Sequence, residues 1–207
     1  CYKRPVIAQS LRGRRIGVTG ATGFVGTALV ERLLRSVPDC EVVVLVRPGR
    51  RTSAAERVRR EILKNNAFDR LRREWGADFD AIIGRRLSVV AGDVGTDGLG
   101  LSPDDRAKFA SCHTIIHSAA SVAFDSPLDS AVEINLLGPT RIAKLLNEVG
   151  PSADGTLAHL VAVSTCYVAG NRRGHAPEEL VSQGPFDIGL NWKSEVAASR
   201  RLRGDTE

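Results

Sequence analysis

The sequence predicts an α/β fold in which a parallel sheet is doubly wound, with helices on both faces. Three observations predict it. Five short runs rich in Val, Ile and Leu recur along the 207 residues, and most are followed by helix-start signals or amphipathic spacing. Several of these runs are nearly unbroken in apolar residues rather than alternating, as strands covered on both faces are. The first run passes directly into three glycines at three-residue spacing, Gly20, Gly23 and Gly26, and then into a helical pattern.

Residues 1–13 are basic and read as a lead-in, in which Val6 to Leu11 can form a short capping helix. Ile16 to Thr19 is the first strand. The turn after it, Gly20-Ala-Thr-Gly23-Phe-Val-Gly26, aims backbone N–H groups and the positive end of a helix dipole at one point, an arrangement that binds phosphate. Gly20 permits the tight turn, Gly23 lets the backbone approach a pyrophosphate, and Gly26 lets the helix pack close to its strand. Phe24, Val25, Ala28, Leu29, Leu33 and Leu34 then recur near the helical period as far as Val37 and Pro38.

Glu41 to Val46 is the second strand and ends in Arg47-Pro48-Gly49. An acid here would take the ribose 2′-hydroxyl of NAD, whereas an arginine suits the 2′-phosphate of NADP. Arg47 therefore argues for NADPH; the alternative is an arginine that merely ends a strand. Thr52 and Ser53 can cap a helix carrying Val58, Ile62 and Leu63, with Arg57 able to fold back beside Arg47. Phe68 to Trp75 is a second helical piece, and Arg86 to Asp93 the third strand with its exit. Ser102-Pro103-Asp104-Asp105 is a helix start, with a capping serine, a proline at the first position and acids in the first turn.

The fourth strand, His113 to His117, runs into Ser118-Ala-Ala-Ser121, whose small side chains leave room for a flat ligand. A long helix over about Leu128 to Val149 contains Gly138-Pro139. Pro139 has no N–H for the carbonyl of Asn135, which predicts either a bulge that frees that carbonyl or a plain bend around the sheet. Leu157 to Thr165 is the fifth strand, with Thr165 at the end where open α/β sheets place their chemistry. Residues 171–207 lose strand character and read as a loop and a helical insertion over Asn191 to Leu202, leaving 14–170 as the sheet domain. The expected strand order is 3-2-1-4-5.

A content of 43% hydrophobic and 26% charged residues is ordinary for a globular domain. The net charge of +5 comes from arginines spread over several segments, which read as solvated helix faces or a cleft for a phosphorylated ligand. Aromatics at 5% are not interleaved with them, which argues against nucleic acid. Cys1, Cys40, Cys112 and Cys166 have no metal-ligand spacing and read as reduced thiols of a cytoplasmic protein. No run reaches the length of a membrane span and no secretory signal opens the chain, which reads as a fragment. His113, His117 and His159 are expected to be packed, and His175 to lie in a loop.

Thr19-Gly-Ala-Thr-Gly-Phe-Val-Gly26, Leu45-Val-Arg-Pro48, Gly92-Asp93-Val94, His117 to Asp125, Asn135-Leu-Leu-Gly138 and Val163-Ser-Thr-Cys-Tyr-Val168 together resemble the extended short-chain dehydrogenase/reductases. More narrowly they are similar to the fatty acyl-CoA reductases and thioester reductase domains. The resemblance implies a Rossmann-like fold truncated before the substrate domain, with NADPH as cofactor and long-chain acyl-CoA as substrate. It implies that Gly20, Thr22, Gly23, Phe24, Val25 and Gly26 surround the pyrophosphate and that Arg47 and Arg57 take the 2′-phosphate. Asp93 and Val94 would bracket the adenine, and Ala119 and Ala120, with Ser121 beside them, would line the nicotinamide ribose. Thr165 matches the catalytic Ser/Thr position, and Asn135 a proton-relay position acting through its carbonyl.

Such enzymes also need a Tyr-x-x-x-Lys pair. Tyr2 and Tyr167 are followed at the fourth residue by Val6 and Asn171, so the pair is expected beyond Glu207 and this stretch alone is expected not to turn over. A carrier-protein thioester reductase and another extended-family oxidoreductase or epimerase are the enzyme alternatives. A non-catalytic NADP-binding sensor is the alternative of another class. Peripheral membrane contact would suit a greasy substrate, and the oligomeric state is left open.

Overall fold

The computed structural model describes residues 7–123, 125–151, 155–170, 173–185 and 187–204. Cys1, Tyr2 and the rest of 1–6, Phe124 within the His117–Asp125 motif, and Asn171 lie outside the described residues. In order the chain forms α1 (Ile7–Ser10), β1 (Arg15–Thr19), α2 (Phe24–Ser36), β2 (Glu41–Val46), α3 (Ala54–Arg57), α4 (Asp69–Trp75), α5 (Phe79–Arg86) and β3 (Leu87–Ala91). There follow α6 (Pro103–Ala110), β4 (Thr114–His117), α7 (Leu128–Ala131), α8 (Leu137–Val149), β5 (His159–Ala162) and α9 (Trp192–Gly204). The five strands make one parallel sheet in the order 3-2-1-4-5, as expected.

The sheet is buried on both faces at its centre. Val42, Val44 and Val46 of β2 face α2 to α5, together with Ile16, Val18, Val30, Leu34, Ile62 and Phe68. Val43 and Leu45 face the other way, toward Phe109 of α6 and Ile142 and Leu145 of α8. That two-sided burial is why β2 reads as an unbroken apolar run. Arg86 closes the end of α2: its guanidinium donates to the carbonyls of Leu34 and Val37, which α2 leaves without helical partners, and to that of Cys40.

Several elements depart from the sequence reading. In α2 the buried side is Gly26, Thr27, Val30, Glu31, Leu33 and Leu34. Phe24 is 96% exposed and Val25 is exposed, because the close approach at Gly26 turns that neighbouring face toward the sheet. The helix α5, between the second helical piece and β3, had no counterpart in the reading. Only His117 is packed: His113 and His159 are exposed, and β5 has three of its four residues exposed. The helix containing Gly138-Pro139 is broken as a bulge, a π turn over Val132–Leu136 between α7 and α8, in which the N–H of Leu137 bonds Val132 five residues back. Thr165 lies three residues past the end of β5.

Candidate cofactor cleft

In a sheet of order 3-2-1-4-5 the chain reverses its winding between β1 and β4, so a crevice opens outside the C-terminal ends of those strands. The glycine turn stands there. Gly20 has φ +70, and a Cβ on it would lie 2.6 Å from the backbone of Ser118 and Ala119 at the exit of β4. Only glycine lets the two strand exits meet this closely. Thr27 fastens the start of α2 to the turn by donating its hydroxyl to the Ala21 carbonyl at 2.9 Å.

Thr19 and His117, at matched positions on β1 and β4, brace the same point from below. The Thr19 hydroxyl oxygen accepts from the N–H groups of Ser118 and Ala119, both at 3.3 Å. It lies 2.8 Å from His117 Nδ1. With its lone pairs so used, the hydroxyl donates its one proton to Nδ1, which leaves His117 protonated on Nε2. Burial pushes the His117 pKa down, so the ring stays neutral.

The cleft has a volume of about 250 Å³ and runs from this point to the end of β2. Of the residues singled out from the sequence, Gly20, Thr22, Gly23, Arg47, Arg57, Asp93, Val94, Ala119 and Ala120 line it; Leu45, Val46, Gly92, Ser118 and Ile134 join them. Phe24, Val25, Gly26 and Ser121 do not line it. The Phe24 side chain points to solvent, and Gly26 is walled off by Gly20.

At the far end Arg57 forks onto Glu61, at 3.0 and 2.7 Å, and donates to the Arg47 carbonyl at 2.6 Å. Donating these hydrogen bonds to the Glu61 carboxylate raises the Arg57 pKa. Arg57 therefore fixes the chain at Arg47. The Arg47 side chain is 64% exposed, with one long contact of 3.5 Å to Asp93 Oδ2. The other Asp93 oxygen accepts from Gly95 N–H at 2.8 Å and shapes the loop under Val94.

Asn135 lies on the π turn, and its side chain grips the backbone of Ser121. Oδ1 accepts from Ser121 N–H at 2.8 Å, and Nδ2 donates to Ser121 C=O at 2.9 Å. The sequence pointed to the Asn135 carbonyl; the structure adds the amide. Thr165 is exposed, does not line the cleft, and accepts from Tyr167 N–H at 3.1 Å. Tyr167 itself is 87% exposed.

Asn135→Ala is expected to weaken dinucleotide binding about 10-fold, because each lost hydrogen bond contributes about 1 kcal/mol to the order of Ala119 to Ser121. Asn135→Asp, which keeps the acceptor and loses the donor, should fall between. Fluorescence titration of both variants checks this, and an affinity unchanged in Asn135→Ala would remove the amide from the site.

A second group of residues missed by the sequence reading ties the walls together. Arg141 of α8 is 8% exposed and donates to Asp97 at 2.8 Å, to the carbonyls of Glu133 at 2.8 Å and Val94 at 3.2 Å, and to the Glu133 carboxylate. Arg200 of α9 holds the other oxygen of that carboxylate at 2.6 Å. Hydrogen bonds from Arg200 and then Arg141, against the opposing effect of burial, pull the Glu133 pKa down to about 2. The network thus joins the Val94 loop, the π turn and α9.

A glycine turn on a switch point, with an arginine at the end of the neighbouring strand, defines a dinucleotide-binding domain of the nicotinamide-cofactor class. The family model described as male sterility protein, an NAD-binding family, matches residues 18–205, and the chain belongs to that family. It is 31% identical over 88% of its length to fatty acyl-CoA reductase 2, chloroplastic, of Arabidopsis thaliana, and covers 28% of that protein. It is 36% identical over 87% of its length to fatty acyl-CoA reductase 1 of Gallus gallus, and covers 33% of it. Among solved structures it resembles the terminal R domain from the myxalamid PKS-NRPS pathway, with TM-score 0.58 and 28% identity over 78% of this chain and 37% of that one. The reductase domain of a nonribosomal peptide synthetase from Mycobacterium tuberculosis gives TM-score 0.53 and 31% identity over 76% of this chain and 34% of that one. The chain thus spans about a third of the length of the curated relatives it matches. Among the described residues no helix is long and apolar enough to cross a membrane.

Proposed function

We propose that this chain is the cofactor-binding part of an NADPH-dependent reductase of long-chain acyl-CoA, giving fatty aldehyde and free coenzyme A, and alcohol if the aldehyde is reduced again. The observation that carries the reading is the meeting of Gly20 with Ser118 and Ala119 at one end of a cleft that has Arg47 and Arg57 at the other. The names of the relatives support the acyl-CoA substrate.

The bound cofactor supplies the hydride. The chain's own residues bind and orient. Gly20, Thr22 and Gly23 present backbone to the pyrophosphate, with Phe24, Val25 and Gly26 forming the helix start behind them. Arg47, exposed and with one long contact to Asp93, would take the 2′-phosphate, and Arg57, bonded to the Arg47 carbonyl, would hold the chain in place for it. Asp93 and Val94 bracket the adenine, while Ala119 and Ala120, with Ser121 gripped by Asn135, border the nicotinamide ribose. Thr165 hydrogen-bonds the thioester carbonyl and the oxyanion that develops there. The proton donor is the Tyr-x-x-x-Lys pair, which we place in the rest of the protein, so that residues 14–170 bind the cofactor and 171–207 begin the cover over the substrate. We place the protein in the cytoplasm, with Cys40, Cys112 and Cys166, the cysteines among the described residues, unpaired. A carrier-bound acyl thioester is the second substrate reading, favoured by the likeness to reductase domains of peptide synthetases.

Titration of the chain with NADPH and with NADH, followed by Trp quenching, is expected to show tighter NADPH binding. Arg47→Asp should weaken NADPH by about 10-fold or more and remove the preference, since a charge-assisted contact to phosphate is lost. Equal affinity for the two cofactors would overturn the NADPH assignment. In the longer protein, NADPH consumption with palmitoyl-CoA supports the first substrate reading, and consumption only with the carrier-bound thioester replaces it by the second.

A further inference from the structure

The chain's basicity lies in one connection. Residues 47–86, which join β2 to β3, hold 12 Arg and Lys against 6 Asp and Glu; the rest of the chain holds 17 against 18. The positive excess of the whole protein is therefore concentrated on this one connection. It also carries a groove of about 1010 Å³, some four times the volume of the cofactor cleft and sharing no residue with it. Leu63, Phe79 and Ile83 supply its apolar surface, and Arg59, Lys64, Arg72 and Asp80 its charges. Gly76 and Gly84 also line it, and a Cβ on either would meet no atom within 4 Å.

The cations differ in what they already hold. Arg57 and Arg60 pair with Glu61, Arg70 with Glu74, and Arg72 with Asp69 as well as the carbonyls of Leu63 and Asn65. Arg59 and Lys64, both exposed, are the cations of this groove without an ion pair among the described residues. Two cations without an ion pair, against the one carboxylate of Asp80, line an apolar groove and call for a ligand that satisfies both. A small polar anion would leave the apolar surface wet, and a neutral lipid would leave the cations without a counter-charge. A bilayer does not fit either, because Ile83 is only 7% exposed and Leu63 and Phe79 are half-buried, so the apolar surface is recessed.

We propose that this groove binds a single-chain anionic amphiphile, with its carboxylate or phosphate on Arg59 and Lys64 and its hydrocarbon chain over Leu63, Phe79 and Ile83. The site would answer to the concentration of fatty anions independently of the cofactor cleft.

Trp75 reports on the groove through its wall, since its ring packs on the lining residue Phe79 with centroids 6.0 Å apart. A Trp192→Phe background removes the other tryptophan. In that protein dodecanoate and dodecyl phosphate, each below its micellar concentration, are expected to give a saturable change in Trp75 emission, and comparison of the two identifies the preferred head group. Dodecyl maltoside, an uncharged head on the same chain, should bind at least about 10-fold more weakly, as should dodecanoate to the Arg59→Glu/Lys64→Glu variant. Both substituted side chains are exposed, so the far-UV spectrum and the NADPH titration should be unchanged in the variant. Equal binding of the maltoside, unaltered affinity in the charge-reversed variant, or no saturable change in the folded protein would each overturn the proposal. A protein that binds dodecanoate as expected but neither NADPH nor NADH would leave this site standing and remove the cofactor reading.

Discussion

Gly26→Ala is expected to lower stability by about 3 kcal/mol or more and to abolish dinucleotide binding by whatever protein remains folded. A Cβ at this position would lie 2.1 Å from the Gly20 oxygen, 2.7 Å from the Gly20 carbonyl carbon and 2.8 Å from the Ala21 Cα. All three are backbone atoms, so no side chain can swing aside. Either α2 moves off the sheet, opening its contacts through Val30, Leu33 and Leu34, or the turn at Gly20 is rebuilt and the approach to Ser118 and Ala119 is lost. Both routes damage the same site. Gly84→Ala is the opposing control: its Cβ meets open space inside α5, and the gain in helix propensity should raise stability by about 0.5–1 kcal/mol. Urea unfolding of the two variants checks the pair, and an unchanged midpoint for Gly26→Ala would mean that the strand–helix junction is not packed as described.

Arg141→Met is expected to destabilise by about 3–5 kcal/mol, the range for removing one partner of a buried ion pair. Methionine fills much of the volume but leaves the Glu133 carboxylate with Arg200 alone, and the Val94 and Glu133 carbonyls without their donor. The acid response should change as well. Glu133 titrates near 2 in the folded protein against an ordinary value of 4.5, so its ionisation adds stability above pH 4.5 that is lost as the pH falls from 4.5 toward 2. Removing Arg141 lessens the depression, so the variant should lose less stability than the parent across that interval. Arg200→Gln, at an exposed partner, should show the same blunted acid response with a smaller penalty at pH 7. Unfolding midpoints at pH 7 and pH 3 test both variants. Parallel losses in parent and variants would assign the acid sensitivity to other carboxylates.

The parts of this molecule that could be read from its sequence are those in which the cause is local. β2 announces itself because burial on both faces demands apolar side chains at every position, and the Ser102 cap of α6 because its first turn needs a hydroxyl acceptor, a proline and acids in consecutive places. The place of Arg47 in the cleft was legible because the end of a known strand fixes where its side chain starts. The rest depends on partners far away in the chain. Glu133 meets Arg200 across 67 positions and Arg141 meets Asp97 across 44, and nothing near any of them signals the pairing. α5 was missed because charges and Gly84 interrupt its apolar spacing, and of its residues Ile83 alone is buried. Phe24 and Val25 were assigned to the wrong side of α2 because apolarity was weighed and the absence of a Cβ at Gly26 was not. The grip of Asn135 on Ser121 follows from a π turn that the proline hinted at without giving its phase.

That π turn makes the chain sensitive to length where it stands. Each residue of a regular helix advances the side-chain direction by about 100°. Deleting a single residue between Val132 and Leu136 would close the wide turn into ordinary helix between α7 and α8, and the residues inside it would shift by up to about that angle against the two helices. Glu133 would swing away from Arg200 and Ile134 away from the cleft, although no side chain in either place had been replaced. A chain one residue shorter here would keep its sheet and lose its alignment, so the spacing between Ser121 and Arg141 is as much a part of the site as the residues at its two ends.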